Sequence, residues 1–314
     1  MGILIQFVLV VIGFVMLVKG ADWFVDGSSK IADKFGIPQL VIGLTIVAMG
    51  TSAPEAAVSI SAAFQGGADI AIGNVLGSNI LNIFLILGIT AVITTVPVQS
   101  STIRYEIPFV LFITLLMGAV GYLDGTVAWY DGAILWAFMI VYMVYLLKMA
   151  KKGDAKIEEV EGASENDHMP KLILLMIVGA ALIVFGADVT VDAATNIART
   201  FGMSERLIGL TLIAFGTSLP ELITSATAAL KGKSDIAVGN IVGSNIFNIL
   251  FVLGTTALIT PVPYASEFAF DTVVATAAVA ILWLLMCKKK QLNRTGGIVL
   301  LICVTLYMGQ LILG

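Results

Sequence analysis

A block of residues occurs twice in this chain, 166 positions apart, and each copy sets a glutamate inside an apolar run. The first copy reads Gly50-Thr51-Ser52-Ala53-Pro54-Glu55, followed by Gly73-Asn74-Val75-Leu76-Gly77-Ser78-Asn79-Ile80-Leu81-Asn82. The second reads Gly216-Thr217-Ser218-Leu219-Pro220-Glu221, followed by Gly239-Asn240-Ile241-Val242-Gly243-Ser244-Asn245-Ile246-Phe247-Asn248. The same register relates Gly20-Ala21-Asp22 to Gly186-Ala187-Asp188, and Ile93-Thr94 to Ile259-Thr260. A register held over most of a half-chain marks a duplicated unit. Any fold must therefore accommodate two similar halves, each with a carboxylate in apolar surroundings.

Those surroundings identify the solvent. Of 314 residues, 59% are hydrophobic and 12% charged, with mean hydropathy +1.02. A soluble domain carries about 25% charge. Apolar runs recur that are long enough to cross a bilayer, which takes about 20 residues each. They are continuous, unlike the alternating segments of a barrel. The pattern predicts an all-α polytopic membrane protein with ten spans, near 3–20, 39–64, 69–95, 105–123, 127–149, 171–197, 205–230, 235–260, 267–287 and 296–313. Ile3 to Val18 lacks a basic segment before it and reads as the first span.

The hydrophilic connector, residues 151–170, separates a first five-helix repeat (1–150) from a second (171–314). Its acidic run from Glu158 to Asp167 reads as solvated linker. With the N- and C-termini outside, 15 of the 17 basic residues fall on inner loops, leaving Arg199 and Arg206 outside. The positive-inside rule selects that orientation and makes the linker cytoplasmic. Five spans per repeat is odd, so the repeats must be inverted with respect to each other. That plan is common in secondary transporters, whose sites lie near the midplane. No long basic tract supports nucleic-acid binding, and Cys287 and Cys303 read as buried inert thiols. The oligomeric state is not legible.

Proline inside an apolar helix removes a backbone donor and clashes with the preceding turn. Spans two and seven should therefore break at Pro54 and Pro220, freeing carbonyls around Ala48–Thr51 and Ala214–Thr217. Irregular backbone survives at membrane depth only inside protein or along a cavity. Glu55 and Glu221, Thr51 and Thr217, and Ser52 and Ser218 add oxygens there. On spans three and eight, Asn82 and Asn248 follow Ser78 and Ser244 by four residues, so each pair shares a helix face. An oxygen-only donor set suits hard cations. Two buried negative charges balance one Ca2+ or two Na+. Asp22, Asp26, Asp188 and Asp192 also recur by repeat and are expected at span ends, capped or solvated. Trp23 and Trp129 read as interfacial anchors.

In these residues the chain resembles the calcium/cation antiporter superfamily, specifically its prokaryotic sodium/calcium exchanger branch. The resemblance rests on Gly-Thr-Ser-x-Pro-Glu and Gly-Asn-x-x-Gly-Ser-Asn-Ile-x-Asn in both halves and covers nearly the whole chain. It implies two inverted five-helix bundles, a core of spans two, three, seven and eight, and spans one and six sliding against it. It implies Glu55 and Glu221 as central ligands shared by Ca2+ and Na+, with Thr51, Thr217, Ser52, Ser218, Ser78 and Ser244 as flanking oxygens. Ala48 and Ala214 would contribute carbonyls, and Asn82 an amide. The family admits Asp or Asn where this chain has Asn248, so proton coupling stays open. The transported ions need no cofactor. Calcium/proton exchange is the nearest alternative, with a passive channel behind it. An intramembrane serine enzyme finds little support, because the only histidine, His168, lies in the linker.

Overall fold

The first apolar run continues as helix far beyond residue 20. In the computed structural model, which describes residues 3–152, 168–203 and 214–313, α1 covers Ile3–Phe35. The expected end at residue 20 is thus corrected. Gly20, Phe24, Val25, Gly27, Ile31 and Ala32 carry a buried stripe at helical spacing through the polar segment. Asp22 and Asp26 accordingly sit within a helix, not at its end, and they are ion-paired.

The remaining helices are α2 (Gln39–Thr51), α3 (Ala53–Phe64), α4 (Ile70–Ile93), α5 (Thr102–Asp124), α6 (Trp129–Lys151) and α7 (Met169–Thr200). They continue with α8 (Ala214–Thr217), α9 (Leu219–Leu230), α10 (Ser234–Ile259), α11 (Phe268–Cys287) and α12 (Arg294–Leu311). Among the described residues eight helices are long and apolar enough to cross a membrane, and α2 with α3, bent by 49°, makes a ninth. Residues 204–213, where the first part of span seven and Arg206 were expected, lie outside the described residues, as does the acidic run of the linker. Cys287 is exposed at the end of α11 and Cys303 is half-buried, which corrects the reading of both as buried thiols.

Two helices form the centre. The apolar windows of α10 and α4 are 94% and 72% buried, against 44% or less for the other six. They cross at equivalent residues: Asn79 Nδ2 donates to the Asn245 carbonyl (3.2 Å) and Asn245 Nδ2 to the Asn79 carbonyl (3.3 Å). The small residues set how closely partners approach. A Cβ on Gly243 would lie 2.8 Å from the Leu44 carbonyl oxygen, so α2 lies backbone-to-backbone on α10. Gly132 of α6 meets Gly254 of α10, and Gly297 of α12 meets Gly88 of α4, in matching fashion.

Helices α1 and α7 pack on each other through a glycine stripe. Gly13 faces Gly186 and Thr190, Gly20 faces Gly179 and Ile183, and Gly27 faces Leu172 and Met176. One numbering rises as the other falls, so the two equivalent helices run antiparallel. The pair meets the rest through a separate apolar cluster of Leu17, Ala21, Phe24, Ile183 and Ala187 with Val47, Leu219 and Ala228. Two short antiparallel ladders join the halves: β1 (Val96–Pro97) with β4 (Gln291–Leu292), and β2 (Thr126–Val127) with β3 (Val262–Pro263).

Candidate ion-binding site

The breaks fall where proline requires them. Helix α2 stops at Thr51, Ser52 leaves helical geometry (φ −85°, ψ 10°), and α3 restarts with Pro54 in its first turn. In the second half Ser218 does the same (φ −88°, ψ 0°) between α8 and α9. Each break sets a carboxylate in the first turn of the new helix, where the positive end of the helix dipole favours it. Glu55 is 1% exposed and Glu221 is fully buried.

The structure brings the predicted residues together from both halves. Ser52 Oγ donates to Glu221 Oε1 at 2.7 Å, across the halves. The hydroxyls of Thr51 and Ser244 also face the Glu221 carboxylate, and those of Thr217 and Ser78 face that of Glu55. Thr51, Ser52, Ser78, Asn82, Ser218, Ser244 and Asn248 are buried, and Thr217 is half-buried. The Ala48 carbonyl accepts the Ser52 N–H (3.0 Å) and lies 3.3 Å from Thr51 Oγ1 and 3.5 Å from Ser244 Oγ. In the second half the Ser218 N–H bonds the Phe215 carbonyl instead, one residue beyond Ala214.

The amides are locked in a symmetric exchange. Asn82 Nδ2 donates to Asn245 Oδ1 (3.0 Å) and Asn248 Nδ2 to Asn79 Oδ1 (3.1 Å). With their nitrogens held, Asn82 and Asn248 keep their oxygens free. Five buried oxygens of the predicted set have no hydrogen-bond partner: Glu55 Oε2, Glu221 Oε2, Asn82 Oδ1, Asn248 Oδ1 and Ser218 Oγ. A native interior leaves few such atoms, and each needs a physical reason. Four of them form two repeat-related pairs. Unpartnered acceptors around two carboxylates are what a hard cation coordinates. Among the described residues no group of three or more His, Cys, Asp or Glu could hold a metal, which leaves this oxygen-rich pair.

Sequence reasoning passed over the bracing residues. Asn74 Nδ2 donates to the Glu55 carbonyl (3.1 Å) and Ser59 Oγ (2.9 Å). Asn240 repeats this with the Glu221 carbonyl (3.5 Å) and Ser225 Oγ (2.9 Å), and its Oδ1 also accepts from Thr51 (2.9 Å). Both asparagines lie in the quoted motifs, and their spacing to the glutamate, 19 residues in each copy, was the available signal. Of these two asparagines, among the described residues, only Asn240 bonds across the halves. Asn240→Leu should therefore destabilise by about 1–3 kcal/mol, the cost of orphaning buried partners, and more than Asn74→Leu; thermal unfolding in detergent reads the difference. Glu106, also unforeseen, is a buried carboxylate that accepts a hydrogen bond from Tyr145 and belongs to the α5–α6 contact.

Comparison with known proteins extends this picture. The family model described as sodium/calcium exchanger protein matches residues 5–148 and 171–313. The inner membrane protein YrbG of Escherichia coli is 36% identical over 305 residues, covering 93% of this chain and 92% of that protein. The sodium/calcium exchanger MaX1 of Methanosarcina acetivorans is 34% identical over 337 aligned positions, covering 95% of this chain and 96% of that one. Among solved structures, the sodium-calcium exchanger NCX_Mj superposes with a TM-score of 0.84 at 33% identity, covering 98% of this chain and 99% of that chain.

Proposed function

The chain belongs to the sodium/calcium exchanger protein family, and we propose that it is a secondary active antiporter moving Ca2+ against Na+ by alternating access across a cytoplasmic membrane. The observation that carries this reading is the set of unpartnered oxygens around two buried carboxylates contributed by equivalent broken helices. Glu55 and Glu221 bind either ion in turn, with Thr51, Thr217, Ser52, Ser218, Ser78 and Ser244 as flanking donors. Asn82 and Asn248 offer amide oxygens, and Ala48 and Ala214 offer carbonyls. One Ca2+ or two Na+ neutralises the pair.

Ten spans in two inverted repeats, 1–150 and 171–314 about a cytoplasmic linker, with both termini outside, complete the reading. The antiparallel packing of equivalent helices α1 and α7, and the reciprocal Asn79–Asn245 bonds, support the inversion. Alternation follows from charge. A loaded site is close to neutral and crosses the apolar barrier, whereas an empty one presents two bare carboxylates, each costing several kcal/mol to bury. Uncoupled return is therefore slow.

Radioactive calcium uptake into proteoliposomes tests the coupling. Uptake should require an outward sodium gradient and persist when the pH gradient is collapsed. Uptake that follows pH without sodium would assign calcium/proton exchange instead, and single-channel current steps would assign a passive pore.

A further inference from the structure

Asp22 and Asp26 lie one turn apart on α1 and take no part in the ion site. They hold both lysines of the turn between α9 and α10. Lys231 Nζ lies 2.5 Å from Asp22 and 2.8 Å from Asp26, and Lys233 Nζ lies 2.9 Å from Asp26. Lys231 also donates to the Asp22 carbonyl at 3.2 Å. The Lys233 side chain is only 8% exposed, so removing its partner would leave a charge stranded in the protein. Burial works against the Lys231 ammonium, but hydrogen bonds and charge from Asp22 and Asp26 outweigh it and raise its pKa above the ordinary lysine value. Lys231 therefore keeps its positive charge throughout the neutral range.

The repeat relation makes this cluster one-sided. Shifted by 166 residues, Asp22 and Asp26 become Asp188 and Asp192 on α7. The counterparts of Lys231 and Lys233 in the turn between α3 and α4 are Gln65 and Gly67. The acids were duplicated; the bases stand in one copy only. In an inverted repeat, the two access states exchange the roles of the copies. A contact between α1 and the α9–α10 turn in one state becomes a contact between α7 and the α3–α4 turn in the other. Identical copies would make the two states equal in energy, and a charge network present in one copy breaks that equality.

We propose that Asp22, Asp26, Lys231 and Lys233 form a one-sided ionic latch that ties α1 to the α9–α10 turn and biases the exchanger toward the state in which that end is closed. The inference rests on the alternating-access reading given above. Partly exposed ion pairs are individually weak. A network of three with one lysine buried shifts the balance by about tenfold, the fold-change of a 1.4 kcal/mol difference.

Hydrogen–deuterium exchange mass spectrometry of the full chain in lipid nanodiscs tests it. Lys231→Gln with Lys233→Gln should speed exchange about tenfold over residues 20–35 and 228–236, while both lysines changed to Arg should retain protection. Adding bases at the other end, Gln65→Lys with Gly67→Lys, should protect residues 60–70 and 186–195 and loosen 20–35. Gln65 is exposed, and a Cβ on Gly67 meets nothing closer than the Ile70 side-chain tip at 3.3 Å, so this graft fits. Unchanged exchange in the Gln pair, uniform loosening of all helices, or no opposite response to the graft would each overturn the latch. The measurement needs no transport. Reciprocal responses without sodium-driven uptake would keep the latch and reject the ion assignment.

Discussion

Glu55→Gln and Glu221→Gln should each reduce sodium-driven calcium uptake to the level of empty liposomes, with folding intact. Glutamine keeps the shape of the side chain and one carbonyl oxygen, so α3 and α9 still pack, but one of two negative charges is gone. A Ca2+ in the site would then carry an uncompensated positive charge away from water, a penalty of several kcal/mol and thus a loss of at least a hundredfold in occupancy. The fold survives because the helices hang on other bonds. The Asn74 and Asn240 amides hold backbone carbonyls at Glu55 and Glu221 and the hydroxyls of Ser59 and Ser225, none of which needs the carboxylate. Ser52 loses a charged acceptor in Glu221→Gln but still finds the amide oxygen. Monodisperse elution with a near-normal unfolding temperature and no flux is the expected result. Wild-type flux in either variant would remove the carboxylate pair from the mechanism.

Gly243→Val should destabilise the fold strongly and disturb the site with it. A Cβ there would lie 2.8 Å from the Leu44 Cα and carbonyl oxygen and 2.8 Å from the Ala48 Cβ. Two of those atoms are backbone, so no rotamer change relieves the clash, and α2 must move off α10. Overpacking of this kind costs about 1–3 kcal/mol or more. It also shifts the ligand geometry, because α2 carries Thr51 and runs directly into Ser52. Thermal unfolding in detergent and calcium protection against it measure both parts: a lowered midpoint and a weakened response to added Ca2+. A variant with wild-type midpoint and protection would show that α2 and α10 do not depend on this close approach.

The duplication, the apolar character, the breaks at Pro54 and Pro220 and the pairing of Glu55 with Glu221 were all legible in the sequence. They depend on local chemistry: a missing N–H, a run of apolar side chains, a carboxylate that needs neutralising. Ser78 with Asn82, and Ser244 with Asn248, could be set on one face because helical periodicity fixes it. The reach of α1 to Phe35 was not legible. Its Asp22, Asp26 and Lys30 look like the polar end of a span until Lys231 and Lys233, some 200 residues away in sequence, neutralise the two acids. The bracing asparagines were likewise hidden, since an Asn in a repeated motif reads equally as ligand or as support. Only its contacts separate the two. Asn82 and Asn248 keep buried oxygens without a hydrogen-bond partner, whereas Asn74 and Asn240 donate their amides to Ser59 and Ser225.

The sequence by itself determined which groups had to be buried and that they came in two related sets, because composition and covalent backbone constraints act locally. Tertiary structure decided which oxygens were left without a hydrogen and which charges found a distant partner. Both depend on how closely the backbones approach, at contacts such as Gly243 on Leu44 and Gly13 on Thr190. That closeness is a property of two surfaces meeting, and no single stretch of chain contains it.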